Sequence, residues 1–410
     1  MLYDCILIRY GEFVLKGDNK KQFTKRIQEH IKRKLKKYKS LQYKSAGLRF
    51  YILTNEENIE EICELLTEIP GIYSFSLVAR CENELDQIKQ TAEHVLINDS
   101  MNQGFTFKVE TNRADKLFPM KSLEVTQEVS RHLFQRIPGL KADVHNPNMI
   151  LDIDIRVEGT FIYTKVIKGM GGFPSGTTGK ALLMMSGGID SVVAGYLSIK
   201  RGMEVEAIHF ASYPHTSKLS EQKVIDLTKQ IAKYTYANKI KLHIVHFTPL
   251  QEAIFRAVDE DYIITIMRRM MYRIAEAYGL KHNIRALVTG ESVGQVASQT
   301  LESLATINEP IKLPVLRPLV TMDKEDIVDL SKEINTYNIS IRPYDDCCTV
   351  FVPKHPSIRP RVKFAKMQEY KFDYEPLITE AIDTIKTLEI DSSQYHSSLE
   401  ENTLHELFEI

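Results

Sequence analysis

Residues 181–197 read ALLMMSGGIDSVVAGYL. The apolar run over 181–185 has the length of a buried strand, Ser186-Gly187-Gly188 breaks it, and helix-forming residues follow from Asp190 or Ser191. Neither glycine carries a side chain, so backbone N–H groups there can close on an anion. The first N–H groups of the following helix add their dipole. Ser186 and Ser191 offer hydroxyl donors beside them. A tight turn that binds nothing needs only one glycine, so a glycine pair between serines favours a phosphate loop.

Around this stretch the chain alternates. Apolar runs at 181–185, 204–211, 241–247 and 285–289 are separated by helical patterns at 191–201, 220–235, 261–279 and 323–334. Such alternation predicts an α/β domain with a doubly wound parallel sheet, whose ligands bind beyond the carboxyl ends of the strands. The loop after Met185 lies at such an end. KGMGGFPSGTTGK, residues 168–180, is a glycine-rich connector and a domain boundary. Two other phosphate loops are excluded. In the nearest approach to GxxxxGK[ST], Pro174 stands at the first glycine and Ala181 at the hydroxyl, and no GxGxxG follows the first strand.

Upstream of the connector the pattern is different. Residues 3–10 read as a strand, and Phe23, Ile27, Ile31 and Leu35 recur as a helical stripe. Strands at Leu48–Leu53 and Ser74–Ala79 flank a helix at Glu57–Glu68, which predicts a small ferredoxin-like α+β unit. A second unit follows, with helices at 86–97 and 122–136, a strand at 105–111, and alternation over 151–157 that turns at Glu158-Gly159-Thr160 into FIYTKVI.

The 410 residues hold 53 basic and 54 acidic side chains, a net charge of -1, yet the charge is unevenly spread. Between Lys16 and Lys44, a dense run of lysines and arginines is opposed only by Asp18 and Glu29. A solvated helix face accounts for part of this, while the density of one sign points to a polyanion such as nucleic acid. No apolar run approaches the roughly 20 residues that span a bilayer, and the N-terminus lacks a basic n-region, so the chain reads as cytoplasmic with no membrane partner. Five irregularly placed cysteines without a CxxC argue against a disulfide framework and a zinc ribbon. Cys5, Cys63 and Cys81 fall on apolar faces and read as buried and inert.

SGGIDS resembles the SGGxDS signature of the PP-loop ATP pyrophosphatases. GGFPSGTTGK, RRMMYRIAEAYG at 268–279, LVTGESVGQVASQTL at 287–301 and RPLVTMDKEDIV at 317–328 narrow the resemblance to the ThiI family of tRNA sulfurtransferases, or 4-thiouridine synthetases. ILIRYGE at 6–12, LKG at 15–17 and FKVETNRADKLFPMKSLEV at 107–125 resemble that family's ferredoxin-like and THUMP regions. The resemblance implies a ferredoxin-like domain at 1–75, a THUMP domain at 76–168 whose signature begins as early as 60, and a PP-loop ATP pyrophosphatase domain at 181–390; the glycine-rich stretch at 169–180 reads as the linker, and the acidic tail at 391–410 lies beyond the resemblance. No rhodanese-type segment is recognisable, which puts a thiamine role in doubt and leaves the thiol that resolves the persulfide unassigned.

The implied reaction adenylates the C4 carbonyl oxygen of uridine 8 in tRNA with ATP. A cysteine desulfurase loads sulfur onto an enzyme cysteine as a persulfide, and that sulfur displaces AMP. Mg²⁺ would bridge the phosphates, with Asp190 as the local carboxylate. Met184 and Met185 would lie along the adenine, and Ser186, Gly187, Gly188, Asp190 and Ser191 would hold the pyrophosphate. His209 and Phe210 end the second strand, where family members contact nucleotide; a core histidine is the alternative there. Arg268 offers a permanent charge for phosphate, or else lies with Arg269 on a solvated helix surface. Gly290 and Gln299 match nucleotide contacts, with a plain turn glycine as the alternative at Gly290. Asp323 reads as an N-cap and Lys324 as the first helical residue, where its charge opposes the helix dipole, so it serves phosphate or is simply exposed.

DDCCTVFVPKHP, residues 345–356, offers thiols for persulfide chemistry. The family's sulfur carrier aligns with Cys348, with Cys347 as the second choice or a small apolar filler. Asp345 and Asp346 oppose ionisation there, and Lys354 and His355 favour it. The family also implies a homodimer. Competing readings are a PP-loop ligase that adenylates a small molecule, sulfur transfer to a carrier protein for thiamine thiazole, and a noncatalytic RNA-binding protein.

Overall fold

The computed structural model describes residues 3–11, 20–55, 57–99, 105–296, 299–344 and 356–393. It divides into two compact units, Met1–Phe173 and Pro174–Ile410.

The first unit runs β1 (Cys5–Tyr10), α1 (Lys20–Lys34), β2 (Gln42–Ala46), β3 (Arg49–Leu53), α2 (Ile59–Thr67), β4 (Ile72–Cys81), α3 (Leu85–Asp99), β5 (Thr106–Arg113), α4 (Ser122–Arg136), β6 (Lys141–Ala142), β7 (Met149–Arg156), β8 (Gly159–Tyr163) and β9 (Ile167–Lys168). These strands form one sheet in the order β2-β3-β1-β4-β8-β7-β5-β6, with β9 also pairing β4. The helical stripe of α1 buries Ile27 and Ile31, joined by Ile62 and Leu66 of α2, against Ile6, Ile8, Phe50 and Ile52 of the sheet. In the second half, α3 and α4 cover Val109, Leu151, Ile153 and Ile155. β2 was not anticipated. Its five residues, QYKSA, are mostly polar and none is deeply buried, although Tyr43 stacks on Phe50, so the alternation is too weak to betray them. They pair with β3 through a hairpin at Gly47, whose φ of +56 suits glycine.

The second unit runs β10 (Lys180–Met184), α5 (Ile189–Lys200), β11 (Glu204–Ala211), α6 (Lys218–Ala232), β12 (Lys239–His246), α7 (Thr248–Ala257), α8 (Ile263–Lys281), β13 (Ala286–Val288), α9 (Leu301–Asn308), β14 (Val315–Leu316), α10 (Lys324–Glu333), α11 (Tyr337–Ser340), α12 (Val362–Glu369), α13 (Glu375–Asp383) and β15 (Lys386–Asp391). The sheet order is β14-β13-β10-β11-β12-β15. Its first five strands are parallel, as the alternation predicted. The edge strand β15 corrects that picture, because it pairs with β12 in the antiparallel sense. Only Ile390 of β15 is deeply buried, so its sequence carries little strand signal. On one face α7, α8 and α13 bury Leu250, Ile254, Ile266, Met270, Ile274 and Ile378 against the sheet. The first strand, at the centre of this arrangement, delivers the SGGIDS turn to the sheet's carboxyl edge.

Candidate active site

Strand pairing carries past β10, because the Met185 N–H donates to the Ile208 carbonyl at 2.8 Å. The chain then turns, and Gly188 becomes the N-cap of α5 with no side-chain capping bond. The start of α5 therefore lacks the side-chain acceptor that most helices place there, which suits an external anion. Ser191 is bonded within the turn itself. Its hydroxyl is buried, accepts the Ser186 N–H at 3.1 Å and donates to the Ser186 carbonyl at 3.0 Å. The Gly188 N–H donates to the Ser186 hydroxyl at 3.3 Å. The serines thus hold the shape of the turn from within. Met185 is buried behind it, with its sulfur 3.8 Å from the Ser191 hydroxyl.

Gly290 is more than a turn glycine. A Cβ there would lie 2.5 Å from the carbonyl carbon of Asp190 and 2.6 Å from the Ser191 nitrogen. Backbone rests directly on backbone, and only glycine allows it. The loop after β13 is thereby laid against the first turn of α5.

Two side chains converge on Asp190 from elsewhere. Lys324, the first residue of α10, places its Nζ 2.5 Å from Oδ1. Gln295, from the loop after β13, donates from Nε2 to Oδ2 at 3.0 Å. Asp323 is the N-cap of α10 as expected, without a side-chain capping bond. The charge that is misplaced for the dipole of α10 is thus delivered to the first turn of α5. The sequence reading singled out Asp190 and Lys324 but missed Gln295, although it lies within the quoted LVTGESVGQVASQTL.

Arg268 reaches the same loop indirectly. Its Nη2 lies 2.9 Å from Oε1 of Glu291, the residue after Gly290. Glu291 is 1% exposed; Arg317 Nε meets its Oε2 at 2.7 Å, and Tyr272 and Thr289 donate to the same oxygen at 3.0 and 2.9 Å. Burial pushes the Glu291 carboxyl up, but Arg268 and Arg317 outweigh it and hold it below the ordinary range. Sequence reasoning passed over this hub too. Arg269 is not on a solvated surface. It is fully buried, with Nε and Nη2 at 2.8 and 3.0 Å from the two oxygens of Glu369.

The remaining predicted residues sit around this centre. His209 is buried and its Nδ1 lies 3.0 Å from the Met185 carbonyl, which fixes the end of β10. Phe210 points into the core, its ring 5.4 Å from that of Phe247. Met184 packs partly against the same core. Gln299 closes its own loop by accepting the Ser292 N–H at 3.3 Å. Gly187 lies in the turn between Ser186 and Gly188. Asp345, Asp346, Cys347, Cys348, Lys354 and His355 lie outside the described residues, as does the tail from 394.

The arrangement fits a triphosphate, with a glycine turn, a helix start without a side-chain cap and one lysine. It also fits Mg²⁺ as that ion is usually bound, by one or two carboxylates together with substrate phosphates and water. Among the described residues, no cluster of three or more His, Cys, Asp or Glu could hold a metal unaided. Nor is any described helix long and apolar enough to cross a membrane. In the first unit, burial pushes the Cys5 thiol up to about 12 and those of Cys63 and Cys81 up to about 11, so all three stay protonated near neutrality. Cys63 and Cys81 are half-buried, unlike the fully buried Cys5.

Comparison with known proteins places this geometry. A probable tRNA sulfurtransferase of Geobacillus kaustophilus is 47% identical over 391 residues, covering 95% of this chain and 97% of its own. The chain belongs to the ThiI family. The family model described as thiamine biosynthesis protein (ThiI) matches residues 176–374, the ThiI ferredoxin-like domain matches 5–76 and the THUMP domain matches 82–165. A probable tRNA sulfurtransferase of Acholeplasma laidlawii is 46% identical over 384 residues, covering 94% of this chain and 93% of its own. Among solved structures, a 4-thiouridine synthetase in complex with RNA and bound ATP is 34% identical, with a TM-score of 0.85, covering 95% of this chain and all of that one. A Pyrococcus horikoshii protein at 22% identity and a TM-score of 0.63 shares the ThiI fold.

Proposed function

We propose that this ThiI-family chain is an ATP-dependent tRNA sulfurtransferase that converts a tRNA uridine, uridine 8 by family resemblance, to 4-thiouridine. The observation that carries this reading is the Asp190–Lys324 pair at the start of α5, directly behind a glycine turn. A dead nucleotide fold has no use for a lysine delivered from another helix to that point.

Backbone N–H groups of the turn and of the first turn of α5 hold the β and γ phosphates, and Lys324 leaves Asp190 to meet them. The uridine C4 oxygen attacks the α-phosphorus, and charge accumulating on the departing pyrophosphate is met by fixed donors. Mg²⁺, held through Asp190, would supply further charge at the phosphates. Arg268, steered by Glu291, flanks the nucleotide. His209 and Met185 keep the strand end rigid beneath it.

Cys348 carries the sulfur, as Cys348–S–SH, received from a cysteine desulfurase. Its terminal sulfur attacks C4 as the bond to the adenylated oxygen breaks, and AMP leaves with that oxygen. A second thiol then attacks the Cys348 sulfur of the C4–S–S–Cys348 disulfide. The electron pair of the broken bond stays on the C4 sulfur, and the thiol forms a new disulfide with Cys348. Cys347 or an external thiol fills that role. Lysines and arginines of α1 and its flanks hold tRNA phosphates, which positions the RNA without reading its bases. A homodimer is the form in which we expect the enzyme to act. Ligation of a small molecule is not favoured, since it gives the THUMP and ferredoxin-like segments no task.

The test is direct. Unmodified tRNA, Mg-ATP, cysteine and a cysteine desulfurase are incubated with the protein, and near-UV absorbance of thiolated uridine is followed. Wild type makes product, Cys348→Ala makes none, and Lys324→Ala releases no pyrophosphate. Product from Cys348→Ala would move the sulfur to Cys347; pyrophosphate release that needs a metabolite and ignores tRNA would sink the reading.

A further inference from the structure

Lys223 lies on α6 and is 4% exposed. Its ammonium donates to two backbone carbonyls, Tyr344 at 2.7 Å and Arg342 at 3.3 Å. A buried ammonium held by carbonyls is an expensive arrangement, because desolvating a charge costs several kcal/mol unless it is well compensated. A neutral donor would have met the same acceptors more cheaply. Three residues along the same helix, Asp226 forms an ion pair with the guanidinium of Arg342 and accepts from Gln222 Nε2 at 2.9 Å. α6 therefore grips residues 342–344 by both main chain and side chain.

Those residues immediately precede DDCC, 345–348. Beyond the cysteines, from Ser357 on, the chain is again held at successive points. Ser357 N–H donates to the Asp261 carbonyl at 3.0 Å, Thr300 donates to the Ile358 carbonyl at 2.6 Å, and Thr306 donates to the Pro360 carbonyl at 2.6 Å. Both margins of the cysteine segment are tied to regular elements of the second unit.

We propose that Lys223 is a positioning residue for the sulfur-transfer half of the reaction, fixing the point from which the segment bearing Cys347 and Cys348 departs. The inference rests on Cys348 as sulfur carrier. Lys223 spends its donors on the Arg342 and Tyr344 carbonyls, while Asp190 is met by Lys324 and Gln295, so loss of Lys223 should spare adenylation and slow sulfur delivery. Misplacing a reacting group by about 1 Å can cost ~100-fold in rate.

The experiment measures two rates in single turnover with full-length protein, tRNA and Mg-ATP. One is pyrophosphate release, and the other is 4-thiouridine formation from enzyme preloaded with persulfide. Lys223→Met should keep pyrophosphate release within about 2-fold of wild type and lose roughly 10- to 100-fold in thiolation. Lys223→Arg, which keeps charge and donors, should recover part of the loss. Arg342→Ala loosens the same residues from a partly exposed side chain and decides the matter if Lys223→Met fails to fold. Equal loss of both rates in a variant that melts like wild type, or wild-type thiolation in both Lys223→Met and Arg342→Ala, would overturn the proposal. Cys348→Ala in parallel keeps the two ideas apart: thiolation by that variant refutes the carrier assignment, whatever Lys223 does.

Discussion

Gly290 shows how single residues build the site. The family motif marked it, but the reason for glycine became visible only where the loop after β13 meets the backbone of Asp190. Gly290→Ala should push that loop off α5 and carry Gln295 and Glu291 with it. We expect a stability loss of about 1–3 kcal/mol, typical of overpacking, with a disproportionate rise in KM for ATP. Unchanged ATP kinetics in a folded variant would contradict the assignment. The residues missed in the sequence, Gln295 and Glu291, were hidden because their charged partners lie on other elements. Gln295 meets Asp190 across 105 positions, and no local pattern encodes such a pair. The Ser191 hydroxyl has only one hydrogen, and the turn itself uses it on the Ser186 carbonyl.

At the scale of elements, the long apolar helix α8 was legible from its period, while the facing of its two arginines was not. Neighbours on a helix point about 100° apart. Arg268 therefore turns toward Glu291, and Arg269 turns into the core between Glu309 of the segment after α9 and Glu369 of α12. Arg269→Leu would leave Glu369 buried with only the longer Arg273 contact at 3.3 Å. Breaking a buried pair of this kind costs about 3–5 kcal/mol, which urea denaturation should read as a lowered midpoint at unchanged slope. β2 and β15 escaped prediction for one physical reason. Both are edge strands with at most one deeply buried side chain, so burial does not impose the period of two by which central strands are recognised.

At the scale of the whole molecule, one carboxylate in each unit should answer acid in the opposite sense to the other. In the second unit, burial pushes the Glu206 carboxyl up, but His243 and Lys180 outweigh it and hold it at about 2. Its folded value lies below the unfolded one, so it contributes up to ~3 kcal/mol above pH 4.5 or so, lost as pH falls toward 2. In the first unit, burial and then Glu110 push the Asp152 carboxyl up to about 6. That group stabilises the fold as pH falls from about 7 to 4, because the folded state takes up its proton first. Chemical denaturation across this range should show Glu206→Gln losing less stability than wild type on acidification below pH 4.5, and Asp152→Asn gaining less above it. Identical pH slopes in wild type and both variants would refute the electrostatic account. The α/β character of the second unit and the ferredoxin-like start of the first were plain in the sequence, since periodicity reports burial. How long strands serve their sheets was not.

β4 is the case in point. Its residues from Ile72 to Val78 pair with β1, and Ala79 to Cys81 pair with β8, so one continuous strand belongs to both halves of the first unit. A hinge cannot form in the middle of a hydrogen-bonded strand, and Tyr51 stacked 4.7 Å from Phe161 bolts the halves together a second time. Whatever one half binds therefore moves with whatever the other binds. The piece works as a ruler instead of a pair of tongs, and its graduation is the register of a single strand.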